Sequence, residues 1–399
     1  VCRVVHWVIF FFLQSFVMAS PSSLNQRLEC ELDCLKNQYG FPGITVAYVL
    51  PDGSIGEVAW GFADIETREL MTSQSRMLAA SIGKTFVAAT VLAMVKEELL
   101  HLDDPLSCWL GHYNWYSRLP NNETITLQHL LTHSSGIRDH VYTKTFLESF
   151  PQRGLDSDFS FSPESLVECI LDQAPLFEAG HGWAYTDTGY ILLGLVIEEG
   201  TESSYYEELN RRFLKPLHLE MTNPSDRPTL PGLVAGYTSE DNVFDLPRKI
   251  IDESGTMVWN PGIEWTGGGL ISTSRDLARW AKLLYEGHAM QADYLTDLFH
   301  SVPVDDEKSQ DRFGAGVLIK RDEDLGPVWG HGGVIPGYVS SMRYYPKYKI
   351  AIAFQINTNS GNVLDFVDEM EGRLAKVVAS VVEKSAMKET PEQFNPPKL

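Results

Sequence analysis

Apolar and polar positions change rhythm three times along this chain. From about Ser23 to Gln38 they follow a helical period. Two strand-like runs come next, Ile44–Val49 and Glu57–Phe62, and Pro51-Asp52-Gly53 between them has the chemistry of a tight turn. Together these predict a hairpin. A long helical pattern then runs from Phe86 to Leu100, with the small residues Ala88, Ala89 and Ala93 inside it. From about 81 to 260 the chain keeps helical periodicity broken by irregular loops, with no hairpin series. Short, turn-bounded strand patterns return at Phe313–Lys320, Val328–Gly332, Tyr338–Tyr345 and Ile350–Asn357. A helical stretch from about Val363 to Glu383 follows. Residues 386–399 are polar and proline-containing and read as a mobile tail. Strands at both ends and helices between them predict an α+β fold. Its antiparallel sheet is built from both chain ends and flanked by helices, with a mostly helical insertion. The expected division is one catalytic domain over about 25–385, its sheet part at about 25–80 and 260–385 and its helical part at about 81–260.

Composition narrows the partners. Of 399 residues, 44% are hydrophobic and 21% charged, which is ordinary for a globular chain. The formal net charge of −21 repels nucleic-acid phosphates and anionic lipid, so a nucleic-acid partner is not expected. Arg3, the apolar run Val4–Val17 and the small residue Ala19 predict an export signal over residues 1–19. The run is too short and too interrupted for a membrane span. The expected location is therefore secreted or periplasmic, with an uncleaved anchor as the alternative. Five cysteines are present, of which Cys2 falls in the signal. Cys30 and Cys34 are four apart on one helix, an awkward geometry for a disulfide. Pairing among Cys30, Cys34, Cys108 and Cys169 is not legible. Asn122-Glu123-Thr124 has the form of a glycosylation acceptor.

Three short motifs carry candidate chemistry. Ser81-Ile82-Gly83-Lys84 stands at the start of a helical pattern. Residues three apart share a helix face, so Lys84 can reach the Ser81 hydroxyl. A serine needs an adjacent base to become a nucleophile, and a desolvated lysine can lose its proton near neutral pH. The helix start adds N–H groups suited to an oxyanion. Alone, the pattern is equally well a serine cap beside an exposed lysine. Tyr185-Thr186-Asp187 lies about a hundred residues on, just before an apolar helix pattern. Its tyrosine could relay protons or simply pack beside a helix cap. Gly330-His331-Gly332-Gly333 sits between two strand patterns. Glycines there, Gly333 among them, let a substrate backbone approach a strand edge. His331 could donate a hydrogen bond to a substrate carboxylate or to the tyrosine. A fourth cluster, His129, His133, Asp139 and His140, has histidines four apart but lacks the glutamate of the zinc-protease pattern.

In this order the motifs resemble those of the penicillin-recognising serine enzymes, in the branch that holds class C β-lactamases, D-alanyl-D-alanine carboxypeptidases, D-amino-peptide hydrolases and related esterases. The resemblance covers roughly residues 25–385. It includes Leu102–Leu106, Thr126–Gly136, Tyr185–Glu198, Gly268–Thr273 with Asp276-Leu277-Ala278, and Gly330–Tyr338. It implies a β-lactamase/transpeptidase-like fold and an acyl-enzyme on Ser81, hydrolysed by water without metal or organic cofactor. Lys84 and Tyr185 would share proton transfer. The oxyanion would sit between the backbone N–H groups of Ser81 and Val334. Asp187 would touch the substrate's amide side and His331 its far end. The substrate would be a small molecule or peptide. Because Thr126–Gly136 matches a structural segment of the family, the histidine cluster is not expected to hold metal.

Two departures shape the expected substrate. The family's second motif usually ends in Asn, and here it is Asp187. A carboxylate near Lys84 would hold the lysine charged, or would accept a bond from a substrate ammonium. The third motif has His331 where β-lactamases usually carry lysine, and Gly332 where a threonine is common. A neutral histidine anchors a carboxylate weakly. Peptidase or esterase chemistry is therefore expected ahead of β-lactam hydrolysis. The reading from another class is a non-catalytic, peptide-binding member of the family.

Overall fold

The computed structural model describes residues 21–389 apart from 155, 292 and 305–309. The export signal read at 1–19 and the last ten residues of the tail lie outside the described residues. The first four tail residues, 386–389, continue a helix instead.

The strands are β1 (Gly43–Val49), β2 (Ile55–Asp64), β3 (Glu69–Leu70), β4 (Met77–Leu78), β5 (Asn223–Pro224) and β6 (Leu270–Ser272), then β7 (Val302–Pro303), β8 (Arg312–Phe313), β9 (Leu318–Asp322), β10 (Gly326–Ile335), β11 (Tyr338–Tyr345) and β12 (Ile350–Ile356). Nine of them form one sheet in the order β3-β2-β1-β12-β11-β10-β9-β8-β7. Its centre joins the two chain ends: β1 pairs antiparallel with β12, from Ile44 opposite Ile356 to Val49 opposite Ala351. A small second sheet, β4-β6-β5, was not legible from strand patterns, because its strands are two or three residues long.

Helices cover both faces. The principal ones are α1 (Pro21–Tyr39), α2 (Gly83–Lys96), α3 (Leu127–Leu131), α4 (Asp187–Thr201), α5 (Ser274–Tyr285) and α6 (Val367–Glu389). Leu24, Leu28, Leu32 and Leu35 repeat at helical spacing on α1 and are at most 1% exposed. They pack with Met370, Leu374 and Val378 of α6 on the sheet face formed by Ile44, Val46 and Phe354. Each such buried leucine contributes roughly 1.5–3 kcal/mol. Ala47 and Val49 of β1 point the other way, into the larger core that holds α2 and α5. Strand β1 is consequently buried along its whole length, as expected when both faces of a sheet are covered.

Two boundaries differ from the sequence pattern. The helix expected to reach Leu100 ends at Lys96. The chain turns there through Glu98, at φ 61°, and still buries Leu100. The strand expected over Phe313–Lys320 is broken into β8 and β9. Gly316 between them takes φ 66° and lies against α2, where an added Cβ would stand 3.0 Å from the Lys84 carbonyl oxygen. Cys30, Cys34, Cys108 and Cys169 are all free.

Candidate active site

Helix α2 is buried on every side from Gly83 to Met94, so it runs through the core and can hold its first turn rigidly. Ser81 sits just before it, in a 3-10 turn over Ala80–Ile82. It therefore precedes the α-helix instead of capping it. Ala80 is in the left-handed region at φ 48°, a conformation that costs energy and persists only where the surroundings enforce it. Here they do. Ala79 donates its N–H to the Leu270 carbonyl at 2.8 Å, and its own carbonyl accepts from the Ser340 hydroxyl at 2.7 Å. Strand β10 closes in from the same side. A Cβ on Gly333 would stand 2.4 Å from the Ala79 oxygen, so only glycine lets the strand backbone lie this close. Val334, the next residue, is 52% exposed and extends that backbone beside the serine turn.

Lys84 is fully buried. Its Nζ donates to Ser81 Oγ at 3.2 Å, to Asp187 Oδ1 and to the Gly267 carbonyl. These are the three bonds an ammonium can make. The Tyr185 ring lies 4.9 Å from the same nitrogen. Burial pushes the lysine down, but the charges of Asp187 and Tyr185 outweigh it and hold Lys84 protonated well above the usual lysine range. Asp187 reaches this position as the first residue of α4.

Tyr185 directly precedes that helix. Its hydroxyl oxygen is buried without a hydrogen bond of normal geometry, although Lys84 and Ser81 are near enough to favour its ionised form. Burial wins and pushes the phenol up. His133 supports the ring, with centroids 4.3 Å apart. The His133 Nδ1 accepts the Thr186 N–H at 3.3 Å. His129 is engaged elsewhere, accepting the Thr126 N–H at 3.2 Å in the cap of α3. The two histidines thus serve separate backbone groups and do not converge on a shared point.

His331 faces the site from β10, its ring 6.0 Å from that of Tyr185. Its Nδ1 lies 2.5 Å from the Gly332 carbonyl. A carbonyl only accepts, so Nδ1 carries the proton and Nε2 presents a lone pair. Nε2 is buried and has no partner. Burial first, and the Lys84 charge second, push this imidazole down to about 3. In this tautomer His331 turns an accepting nitrogen toward the site.

Ser81, Lys84, Tyr185, Asp187, His331, Gly333 and Val334 are thus brought to one place from α2, α4 and β10. Two acidic groups beside them were not singled out together from sequence. Asp139 accepts the Val141 N–H at 3.1 Å. Burial, and then the Asp187 charge, push it up to about 7. Glu264 is pushed up to about 8 by the same two causes. His140, next to Asp139, is pushed down to about 4 by burial. Glu264 ends a 3-10 turn over Pro261–Glu264 and bears no periodic or motif signal; its place just before Gly267–Leu270 was the one available hint.

The family model described as Beta-lactamase matches residues 24–376. The chain belongs to the beta-lactamase family. Members of this fold family and their amidase neighbours are hydrolases that act through a serine acyl-enzyme. Among curated proteins the chain is similar to penicillin-binding protein 4* of Bacillus subtilis (strain 168), with 23% identity over 308 residues. That match takes in 75% of this chain and 64% of the relative's length. Among solved structures it is similar to a D-stereospecific amidohydrolase from Streptomyces sp., with 25% identity and a TM-score of 0.73 over 88% of this chain and 98% of that one. A D-amino acid amidase from Ochrobactrum anthropi SV3 shares the fold at 24% identity and a TM-score of 0.75, over 90% of this chain and 99% of that one.

Proposed function

We propose that this chain is a secreted serine hydrolase that cleaves amides or esters of the D-amino-peptide type through an acyl-enzyme on Ser81. The observation that carries the reading is the 3.2 Å contact between Lys84 Nζ and Ser81 Oγ, made by a lysine with no solvent access. In the proposed reaction the neutral form of Lys84 is the base: Ser81 Oγ attacks the carbonyl carbon and its proton passes to that lysine, with Tyr185 relaying protons beside it. The oxyanion is held by the N–H groups of Ser81 and Val334. The leaving amine or alcohol takes the proton back, and water then releases the acid from Ser81.

Two features favour amides and esters over β-lactams. Neutral His331 offers a lone pair, which suits a substrate N–H and not a carboxylate. Arg343 is tied to Glu371 at 2.9 Å and, being paired with Gly330, lies on the sheet face opposite His331 and is not available to a substrate carboxylate. The likeness to a D-stereospecific amidohydrolase supports the same choice. Secretion belongs to the proposal and rests on the signal read at 1–19.

Intact-mass analysis with p-nitrophenyl acetate tests the nucleophile. The wild type should gain one acetyl group on Ser81 and Ser81→Ala none. Equal labelling of both proteins, or none in either, overturns the assignment. Turnover of a chromogenic cephalosporin near the diffusional range of about 10⁸ M⁻¹s⁻¹ would instead make the enzyme a β-lactamase.

A further inference from the structure

The surroundings of Lys84 hold more carboxyl groups than the proposed reaction uses. Beside Asp187 opens a small, partly open cavity. Phe146, Phe150, Phe244, Trp259 and Ile335 form its apolar wall. Phe150 packs 5.3 Å from Phe244 and 6.4 Å from Trp259, centroid to centroid. Asp187, Glu264 and Gly267 form the other side. Since the Gly267 carbonyl and Asp187 both receive Lys84, two groups of the cavity wall bond directly to the residue beside Ser81. Two polar groups in its wall lack protein partners. The indole N–H of Trp259, a residue only 2% exposed, has none. The Glu264 carboxylate is half-buried and interacts with Asp187, Lys84 and Asp139 through charge.

We propose that this cavity receives the acyl half of an aminoacyl amide or ester, its bulky apolar side chain against the aromatic wall and its primary ammonium at Glu264. The inference rests on the reading of Ser81 as nucleophile. Three carboxylates, Asp139, Asp187 and Glu264, stand around one cation, Lys84, and His140 beside them is neutral. A buried carboxylate without a counter-charge is costly. An ammonium supplies that counter-charge and keeps Glu264 ionised. It also screens Asp187 from Lys84, which loosens the lysine's hold on its proton as the substrate seats. Glu264 is then a specificity residue, and amine-bearing substrates are favoured in the chemical step as well as in binding.

The test compares kcat/KM for the p-nitrophenyl esters of phenylalanine and of 3-phenylpropanoic acid, which differ only in the amine. A bond between charged groups of this kind predicts a preference for the amino ester of about tenfold or more in the wild type. That ratio should fall toward one in Glu264→Gln. In Phe244→Ala the separate ratio of the phenylalanine ester to the alanine ester should fall. Acetylation of Ser81 by p-nitrophenyl acetate, read by intact mass, reports on fold and nucleophile in every variant. Normal acetylation with both ratios unchanged overturns the pocket and leaves the proposed function standing. Failure of the wild type to acetylate overturns both.

Discussion

At the scale of single residues, the unusual feature is that the lysine proposed as base is bonded to a carboxylate. A base must be neutral to act, and Asp187 holds Lys84 protonated. Raising a base's pKa moves the rising limb of the rate profile to higher pH. Asp187→Asn removes that charge, so the limb of kcat/KM for an ester without an amine should move down by about one pH unit or more. At a fixed pH on the limb this is roughly a tenfold gain. For an ester with an amine the gain should be smaller, because the same substitution weakens the acidic side of the cavity. Parallel pH profiles check this; equal responses of the two esters would remove any link between Asp187 and the amine. The contact between Lys84 and Ser81 was legible in the sequence because residues three apart share a helix face, whereas Tyr185 was singled out only through the resemblance. The role of His331 was not legible. Which of its nitrogens faces the substrate depends on the Gly332 carbonyl, and that contact exists only in the folded strand.

At the scale of elements, the sheet and its covering helices followed from periodicity, since β1, β11, β12 and α1 each carry an unbroken pattern. Breaks were less legible. The gap between β8 and β9 depends on Gly316 meeting α2, a contact between segments more than two hundred residues apart. The same holds for what fastens α6 to the sheet. Glu371 accepts from the Ser341 hydroxyl at 2.6 Å and from Arg343 Nε at 2.9 Å, all in buried positions. Removing one member of a buried pair strands the other's charge. Glu371→Ala should therefore lower stability by about 3–5 kcal/mol, measured by chemical denaturation. Ser81 acetylation below the transition should persist, because the pair lies across the sheet from the site. Asn122 shows a similar dependence on context. Its side-chain amide donates to the carbonyls of Ser117 and Leu119 at 3.0 and 2.9 Å, so the acceptor motif is built into a turn.

At the scale of the whole molecule, the acidic groups near the site make stability depend on pH. Asp139 and Glu264 have raised pKa values when folded. Their contribution is complete below the ordinary carboxylate range, where folded and unfolded chains both hold the protons. It is lost as pH rises through about 7 and about 8, where the folded chain must ionise them. The melting temperature should thus fall across that window, and Glu264→Gln should flatten the fall. A scan in which the variant keeps the full wild-type slope would remove Glu264 as a source. The joining of β1 to β12 has a further consequence, for the order in which the protein is made. Ser81 and Lys84 leave the ribosome early, whereas His331 and the strand that lies against the serine turn come some two hundred and fifty residues later. The central pairing of the sheet waits longer still, for β12. On the proposed function, a growing chain carries the proposed nucleophile long before the strand backbone assigned to the oxyanion, so reactivity is expected only with the closing of the sheet.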